Sequence, residues 1–112
     1  MLRPISHSEA AVLRRALEVG AGRAIPSAIF DSLSSLQVTA MCKCGCATVW
    51  FGPKGDATVG EVLADAVATS NDQTVQVIVW SQGEAIVGLE VVGVPGALTL
   101  PVPSSVRSWG EA

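Results

Sequence analysis

Three cysteines have the clearest capacity for chemistry in this sequence. Cys42, Cys44 and Cys46 stand at alternate positions. Thiolates this close together could share a soft metal ion, and His7, the one histidine, could supply a fourth ligand. Zinc knuckles usually leave about two to four residues between paired cysteines, so this spacing is a poor match. A Cys42–Cys46 disulfide and redox chemistry are further alternatives, but buried thiols in a tight turn are favoured, and we predict no metal and no cofactor.

Other catalytic signatures are missing from the sequence. A nucleophile needs a nearby base, and nothing in the spacing brings His7 to a cysteine. The sequence has no Gly-x-Ser-x-Gly elbow, and Gly60 is followed by Glu61 where a phosphate loop requires lysine and a hydroxyl residue. We therefore predict that the protein is not an enzyme.

Charge is distributed unevenly along the chain. Residues 1–54 carry six lysines and arginines against three carboxylates, whereas residues 55–112 carry one arginine against seven carboxylates. An acidic surface repels phosphate backbones and attracts basic proteins. We therefore expect a basic protein as the partner and no binding to nucleic acid.

Size and composition predict one folded domain over residues 1–112. Hydrophobic residues make up 49% of the chain and charged residues 15%, against about 25% charged in typical globular proteins. Such a chain is too apolar for intrinsic disorder. No apolar run approaches the roughly 20 residues that span a bilayer, and the first seven residues have no apolar core of a signal peptide. We therefore expect a cytoplasmic protein without membrane association.

The first part of the chain has the apolar period of helices. Ser6 followed by Glu9 is the pattern of a capping box, and apolar residues then recur at spacings of three and four. These features predict a helix over about 7–20. Pro26 suits the first turn of a second helix, predicted over about 26–34. Together the two helices are expected to form a hairpin.

Beyond Leu36 the apolar period changes to two, which predicts strands. Strands are expected at about 37–42, 46–51, 61–69, 74–80 and 84–92, followed by a proline-rich C-terminal strap at 95–112. The predicted fold class is α+β, with the N-terminal helical hairpin packed on an antiparallel meander sheet of about five strands in sequential order.

Two turns set the expected register of the last three strands. A four-residue turn at 70–73 places three alanines opposite three valines on the core face, and a three-residue loop at 81–83 places Ile78 opposite Ile86. The other face mixes apolar groups with carboxylates, which is typical of a recognition surface. It is either open or covered by the first two strands or the strap. The predicted partner-binding residues on it are Leu63, Asp65, Ile78, Trp80, Glu84, Ile86 and Glu90.

In size, acidity and lack of catalytic residues the chain resembles bacterial immunity proteins. The resemblance implies a small acidic module, without enzymatic activity, that neutralises a basic, nuclease-like bacterial toxin. Two alternatives remain open. The first is a small metal-binding or redox protein that uses the cysteine cluster. The second is a homodimeric structural protein that buries the same apolar face between two copies.

Overall fold

The protein has an α+β fold, with two helices and seven strands in the part of the chain that the structure describes. This structure is a computed structural model, and it describes residues 3–42, 46–52, 60–93 and 99–111. The helices are α1 (His7–Gly20) and α2 (Ser27–Ser32). The strands are β1 (Arg3–Pro4), β2 (Gln37–Val38), β3 (Ala40–Met41), β4 (Val49–Trp50), β5 (Glu61–Ser70), β6 (Gln73–Gln82) and β7 (Ala85–Val92). Short 3-10 turns lie at Leu33–Ser35, Pro103–Ser105 and Trp109–Glu111.

Helix α1 spans the predicted residues, and the predicted capping box fixes its start. The hydroxyl of Ser6 accepts a hydrogen bond from the amide of Glu9 at 3.0 Å, and the Glu9 carboxylate accepts from the amide of Ser6 at 2.9 Å. Gly20 brings the end of the helix against the sheet, because a Cβ there would stand 2.5 Å from the carbonyl oxygen of Asp65. The apolar stripe of the helix is buried and consists of Val12, Leu13, Ala16 and Leu17.

The predicted helical hairpin is not confirmed, because α1 is the one long helix of the described residues. The predicted helix at 26–34 is a six-residue helix, α2, followed by a 3-10 turn. Pro26 provides no side-chain cap, and the hydroxyl of Ser32 donates to the carbonyl of Ile29 at 2.7 Å. Side-chain bonds of this kind compete with helix propagation. No helix in the described ranges is long and apolar enough to cross a membrane.

Five strands form one antiparallel sheet, but the predicted sequential order is wrong. The order across the sheet is β3-β4-β7-β6-β5, because β4 pairs with β7 instead of β5. The predicted strand at 37–42 is divided: β2 pairs with β1 in a separate small sheet, and β3 pairs with β4. The hydroxyl of Thr39, between them, donates to the carbonyl of Gly52 at 2.6 Å. The predicted strand at 46–51 is correspondingly reduced to the two residues of β4.

The hairpin of β5 and β6 has the predicted register. Asn71 and Asp72 form its two-residue turn with φ angles of 49° and 63°, and these residue types tolerate the left-handed conformation best after glycine. Three alanines of β5 pair with three valines of β6 on the core face, as expected from the sequence. Small side chains there allow α1 to lie close to the sheet. Residues 61–69 are therefore confirmed as a strand.

The register of β6 and β7 differs from the predicted one. Gly83 has a positive φ of 62°, as expected, but β6 continues through Gln82, which pairs with Ala85 across a two-residue turn. Ile78 consequently pairs with Glu90, and the predicted pairing of Ile78 with Ile86 is wrong. Ser81 and Gln82, predicted for the turn, are paired with residues of β7, so the turn begins later than predicted.

Two β-bulges beside Trp80 move predicted surface residues into the core. Leu63 is the extra residue of β5, and Val87 is the extra residue of β7. A bulge reverses the inward and outward alternation of a strand. Leu63 and Ile86 therefore join the hydrophobic core, where they are 7% and 4% exposed. Their predicted positions on the opposite face are wrong.

The described C-terminal segment, residues 99–111, lies along the free edge of β5. Arg107 and Val67 exchange backbone hydrogen bonds of 2.8 and 3.0 Å, and Val106 is fully buried beside them. Arg15 of α1 donates to the carbonyl of Val106 at 3.1 Å. The segment thus ties the helix to the sheet and covers an edge that could otherwise pair with another chain. Residues 95–98 and 112 of the predicted strap lie outside the described residues.

An ion pair connects β1 to the start of α1. Arg3 donates to both carboxylate oxygens of Glu9, at 2.9 and 2.8 Å. These hydrogen bonds lower the pKa of Glu9, burial opposes them, and the bond from the Ser6 amide lowers the pKa further. Because the pKa is lower in the folded chain, the interaction stabilises the fold at neutral pH and is lost as the pH falls through the folded pKa.

We expect Glu9→Gln to remove an acid-sensitive part of the stability. The variant should unfold more easily at neutral pH, and its difference from wild type should shrink as the pH falls below the range in which glutamate titrates. Urea unfolding at a series of pH values measures both effects. Glu18→Gln, exposed on the same helix, should keep the wild-type pH dependence. A difference between Glu9→Gln and wild type that stays constant over the whole pH series would contradict this role of Glu9.

Candidate functional site

The candidate site is the side of the sheet that faces away from α1, which we call the outer face. The alternation of β5, β6 and β7 brings four of the predicted binding residues together there: Asp65, Ile78, Trp80 and Glu90. Their neighbours follow from the pairing of the strands. One cross-strand row contains Trp50, Gly88, Trp80 and Val62, the next Glu90, Ile78 and Asp65, and the third Val92, Gln76 and Val67.

Two tryptophans of the first row meet across Gly88. A Cβ at Gly88 would collide with ring atoms Cε3 and Cζ3 of Trp50, and it would lie 3.5 Å from the Cβ of Trp80. The Trp50 indole therefore covers the backbone of Gly88 and extends toward Trp80. Trp50 and Gly88 were not among the residues predicted for the site. A glycine inside an apolar strand was the available signal, because it often marks a close approach of another group.

The two carboxylates of the second row accept hydrogen bonds from indoles. Trp80 donates its Nε1–H to Oε1 of Glu90 at 2.9 Å, and Trp109 donates to Oδ1 of Asp65 at 2.8 Å. The side-chain amide of Gln76 also donates to Oδ1 of Asp65, at 3.0 Å. These bonds fix the orientation of both rings. Trp109 was another residue of the face that the sequence analysis did not identify, because its position depends on the path of the C-terminal segment.

The outer-face carboxylates have no cationic partner among the described residues. Within 3–42, 46–52, 60–93 and 99–111 the one ion pair joins Arg3 and Glu9, on another part of the molecule. Arg107, at the edge of β5, donates instead to a hydroxyl and a carbonyl oxygen of neutral residues. Asp65 and Glu90 therefore leave the outer face with negative charge that no described cation balances.

The outer face is partly exposed over its first two rows and covered at one corner. Val67, in the third row, is fully buried where the C-terminal segment pairs with it. Ile78 and Trp80, at the centre, are partly exposed, and Val62 at one end of the first row is 51% exposed. Trp109 is 53% exposed beside Asp65. Folded chains seldom expose a contiguous surface of this kind without using it.

Three of the seven predicted binding residues do not lie on the outer face. Leu63 and Ile86 are core residues because of the two bulges. Glu84 is exposed in the turn between β6 and β7, so its predicted position on the recognition face is wrong. The bulges remove these apolar groups from the face, whereas the pairing of β4 with β7 adds Trp50 and the C-terminal segment adds Trp109.

The cysteine cluster falls partly outside the described residues. Cys42 is partly buried with a free thiol, and its amide donates to the carbonyl of Thr48 at 3.2 Å. Cys46 is also partly buried, whereas Cys44 lies outside the described part of the chain. In the described ranges no three histidine, cysteine or acidic side chains come together as metal ligands. His7 lies at the start of α1 in a shallow depression, and metal binding at Cys42, Cys44 and Cys46 stays an untested alternative.

We expect Gly88→Ala to destabilise the protein by about 1–3 kcal/mol, the usual cost of overfilling a packed site. The new methyl group would collide with the Trp50 ring, which would have to leave the backbone of β7. Gly22→Ala is the matched control, because a Cβ at Gly22 meets no atom within 4 Å. Urea unfolding followed by tryptophan fluorescence measures the loss of stability and the change around Trp50. Equal stability of the two variants would show that Trp50 does not depend on Gly88.

The outer face brings indole rings, apolar side chains and carboxylates together on one partly exposed side of the sheet. Indole rings attract cations that lie over their faces. Carboxylates accept short, charge-assisted hydrogen bonds from cationic donors. This set of groups is suited to holding cationic side chains of another molecule. No protein-family model, curated protein or solved structure matches the chain.

Proposed function

We propose that this chain is a protein-binding module whose outer face docks a basic partner protein. The observation that carries the proposal is the pair Asp65 and Glu90, which lie on a partly exposed aromatic face with no cationic partner among the described residues. Complementary charge steers association and sets specificity. The negative charge of the outer face therefore favours a partner with a basic surface.

The centre and the edge of the outer face would contribute differently. Trp80 and Ile78 lie on β6, with β7 on one side and β5 on the other, and aromatic groups at the centre of an interface usually provide most of the binding energy. Asp65 and Glu90 flank Ile78, and they would guide the approach and fix the orientation of the partner. The proposal is for binding without catalysis, because the single histidine of the chain lies on α1, away from this face.

Within this proposal, the partner is a nuclease-like bacterial toxin that the protein neutralises. The small size of the chain and the excess of carboxylates in residues 55–112 support this choice. A toxin that binds phosphate backbones presents a basic surface, and an acidic protein can cover it. Co-expression with a toxin encoded beside this gene provides the test. The wild-type chain should restore growth and Trp80→Ala should not, whereas cell death with both would contradict the immunity role.

Self-association is the competing use of the outer face. Val62, Val92 and Trp109 are among the large hydrophobic residues that remain exposed, which would favour a homodimer. A two-fold contact through this face would, however, bring Asp65 and Glu90 close to their own copies, and like charges in an interface are repulsive. A foreign basic partner is therefore preferred. Sedimentation at several protein concentrations should show a monomer, and a tight dimer would favour the competing use.

A basic ribonuclease at low ionic strength is the probe for the proposed docking. We compare two charge-matched double variants, Asp65→Asn with Glu90→Gln on the outer face, and Glu18→Gln with Asp31→Asn on exposed helical positions. The outer-face variant should associate more slowly and lose much of the salt dependence, because rim charges act mainly on the association rate. The helical variant should behave as wild type. Equal effects of the two variants, or no association of the wild type, would overturn the proposal.

A further inference from the structure

Each outer-face carboxylate has one oxygen that is occupied and one that receives no hydrogen bond from the described residues. Oε1 of Glu90 accepts from Trp80, and Oδ1 of Asp65 accepts from Trp109 and Gln76. The second oxygens, Oε2 and Oδ2, have no donor in the described ranges. Each carboxylate can therefore accept one further donor without breaking an existing bond.

The occupied oxygens join each carboxylate to an indole ring. An N–H that donates to an anion polarises the ring, and the anion adds its own potential beside the π face. Glu90 with Trp80 forms one such unit, and Asp65 with Trp109 forms a second on the other side of Ile78. A cation beside either unit is attracted by both the indole ring and the carboxylate.

The free oxygens distinguish between the two cationic side chains of proteins. A guanidinium binds a carboxylate best through two parallel N–H donors, which require both oxygens. At Asp65 the Oδ1 oxygen already accepts two hydrogen bonds, and at Glu90 the Trp80 indole takes one of the acceptor positions of Oε1, so a guanidinium would compete with bonds that the fold already makes. An ammonium is a compact charge that needs only one oxygen and can turn its other N–H groups to water. The geometry is therefore better suited to lysine than to arginine.

We infer that the outer face anchors a lysine of its partner, whose ammonium donates to Oε2 of Glu90 and lies against the ring of Trp80. The inference rests on the proposed function and specifies the group that the face recognises. The second unit, Asp65 with Trp109, takes another ammonium in the same way. The backbones of Glu90 and Asp65 stand two strand spacings apart, about 10 Å, with Ile78 between them, so the matching lysines flank an apolar contact with Ile78.

Oligolysine and oligoarginine of equal length are the probes for this inference. The chain has three tryptophans and no tyrosine, and its indoles lie on the outer face, so intrinsic fluorescence reports binding there. We expect oligolysine to bind about fivefold more tightly, the equivalent of one hydrogen bond. The double variant Asp65→Asn with Glu90→Gln should abolish the preference, whereas Glu18→Gln with Asp31→Asn, which makes the same charge change at exposed helical positions, should retain it.

The outcomes separate the inference from the function on which it rests. Equal or tighter binding of oligoarginine would overturn the lysine anchor and leave docking of a basic partner standing. Failure of both peptides to bind at low ionic strength would overturn both proposals, as would tight binding of a neutral oligosaccharide to the same face. Circular dichroism verifies that the double variant is folded, and the single variants Asp65→Asn and Glu90→Gln should each reduce the preference.

Discussion

Ile86→Arg is expected to unfold the protein, whereas Ile78→Arg is expected to leave it folded. Both isoleucines lie in the last hairpin, but the bulge at Val87 turns Ile86 into the core, where it is 4% exposed. An unpaired charge buried in a core costs about 3–5 kcal/mol or more, a large part of the roughly 5–15 kcal/mol that stabilises a domain. An arginine at 78 would instead lie on the partly exposed outer face between Asp65 and Glu90.

Circular dichroism and urea unfolding of the two variants decide between these structures of β7. Ile78→Arg should retain a cooperative transition and lose binding, because it places a positive charge where a cationic partner docks. Ile86→Arg should lack the transition. A folded Ile86→Arg variant would mean that the last hairpin has no bulge at Val87 and that Ile86 lies on the surface.

Trp80→Ala is expected to have the largest effect on binding of any outer-face variant. The residue lies on β6 between β5 and β7, pairs with Val62 and Gly88, and donates to Glu90. Removing a central aromatic anchor typically costs about 2 kcal/mol or more, which is a loss of affinity of roughly 30-fold. Trp80→Phe keeps a ring but loses the N–H, so its affinity should lie between those of Trp80→Ala and wild type.

Calorimetric titration with oligolysine measures these affinities without using tryptophan as the reporter. Phe30→Ala is the control, because Phe30 is a partly buried aromatic residue under Arg14 on the helical side, with its ring 5.2 Å from the guanidinium. The control should bind as wild type. If Phe30→Ala lost as much affinity as Trp80→Ala, the binding surface would lie elsewhere or both effects would arise from lost stability.

Local chemistry made parts of the fold predictable from the sequence. The capping box of Ser6 and Glu9 involves residues three apart, and the turn at Asn71 and Asp72 requires residue types that accept a positive φ. Once that turn is placed, the pairing of β5 with β6 follows from alternation alone. These features depend on short stretches of chain, and they were predicted correctly.

Long-range features of the sheet were not predictable in the same way. Strict alternation cannot reveal a bulge. The two bulges beside Trp80 turn both Leu63 and Ile86 from the predicted outer face into the core. The pairing of β4 with β7 joins segments far apart in the sequence, and no turn specifies it. The same limit applies to the site. Alternation alone predicts that one face carries Asp65, Ile78, Trp80 and Glu90. The positions of Trp50 and Trp109 depend on the tertiary arrangement.

Nuclear magnetic resonance of the indole N–H groups tests the docking surface most directly. The three tryptophans give three indole signals, and single Trp→Phe variants assign them. On titration with oligolysine, the signals of Trp80 and Trp109 should shift together with the amides of β6 and β7, while the amides of α1 stay unchanged. Shifts confined to α1, or no shift of any indole signal at saturating peptide, would contradict the assignment of the outer face as the binding site.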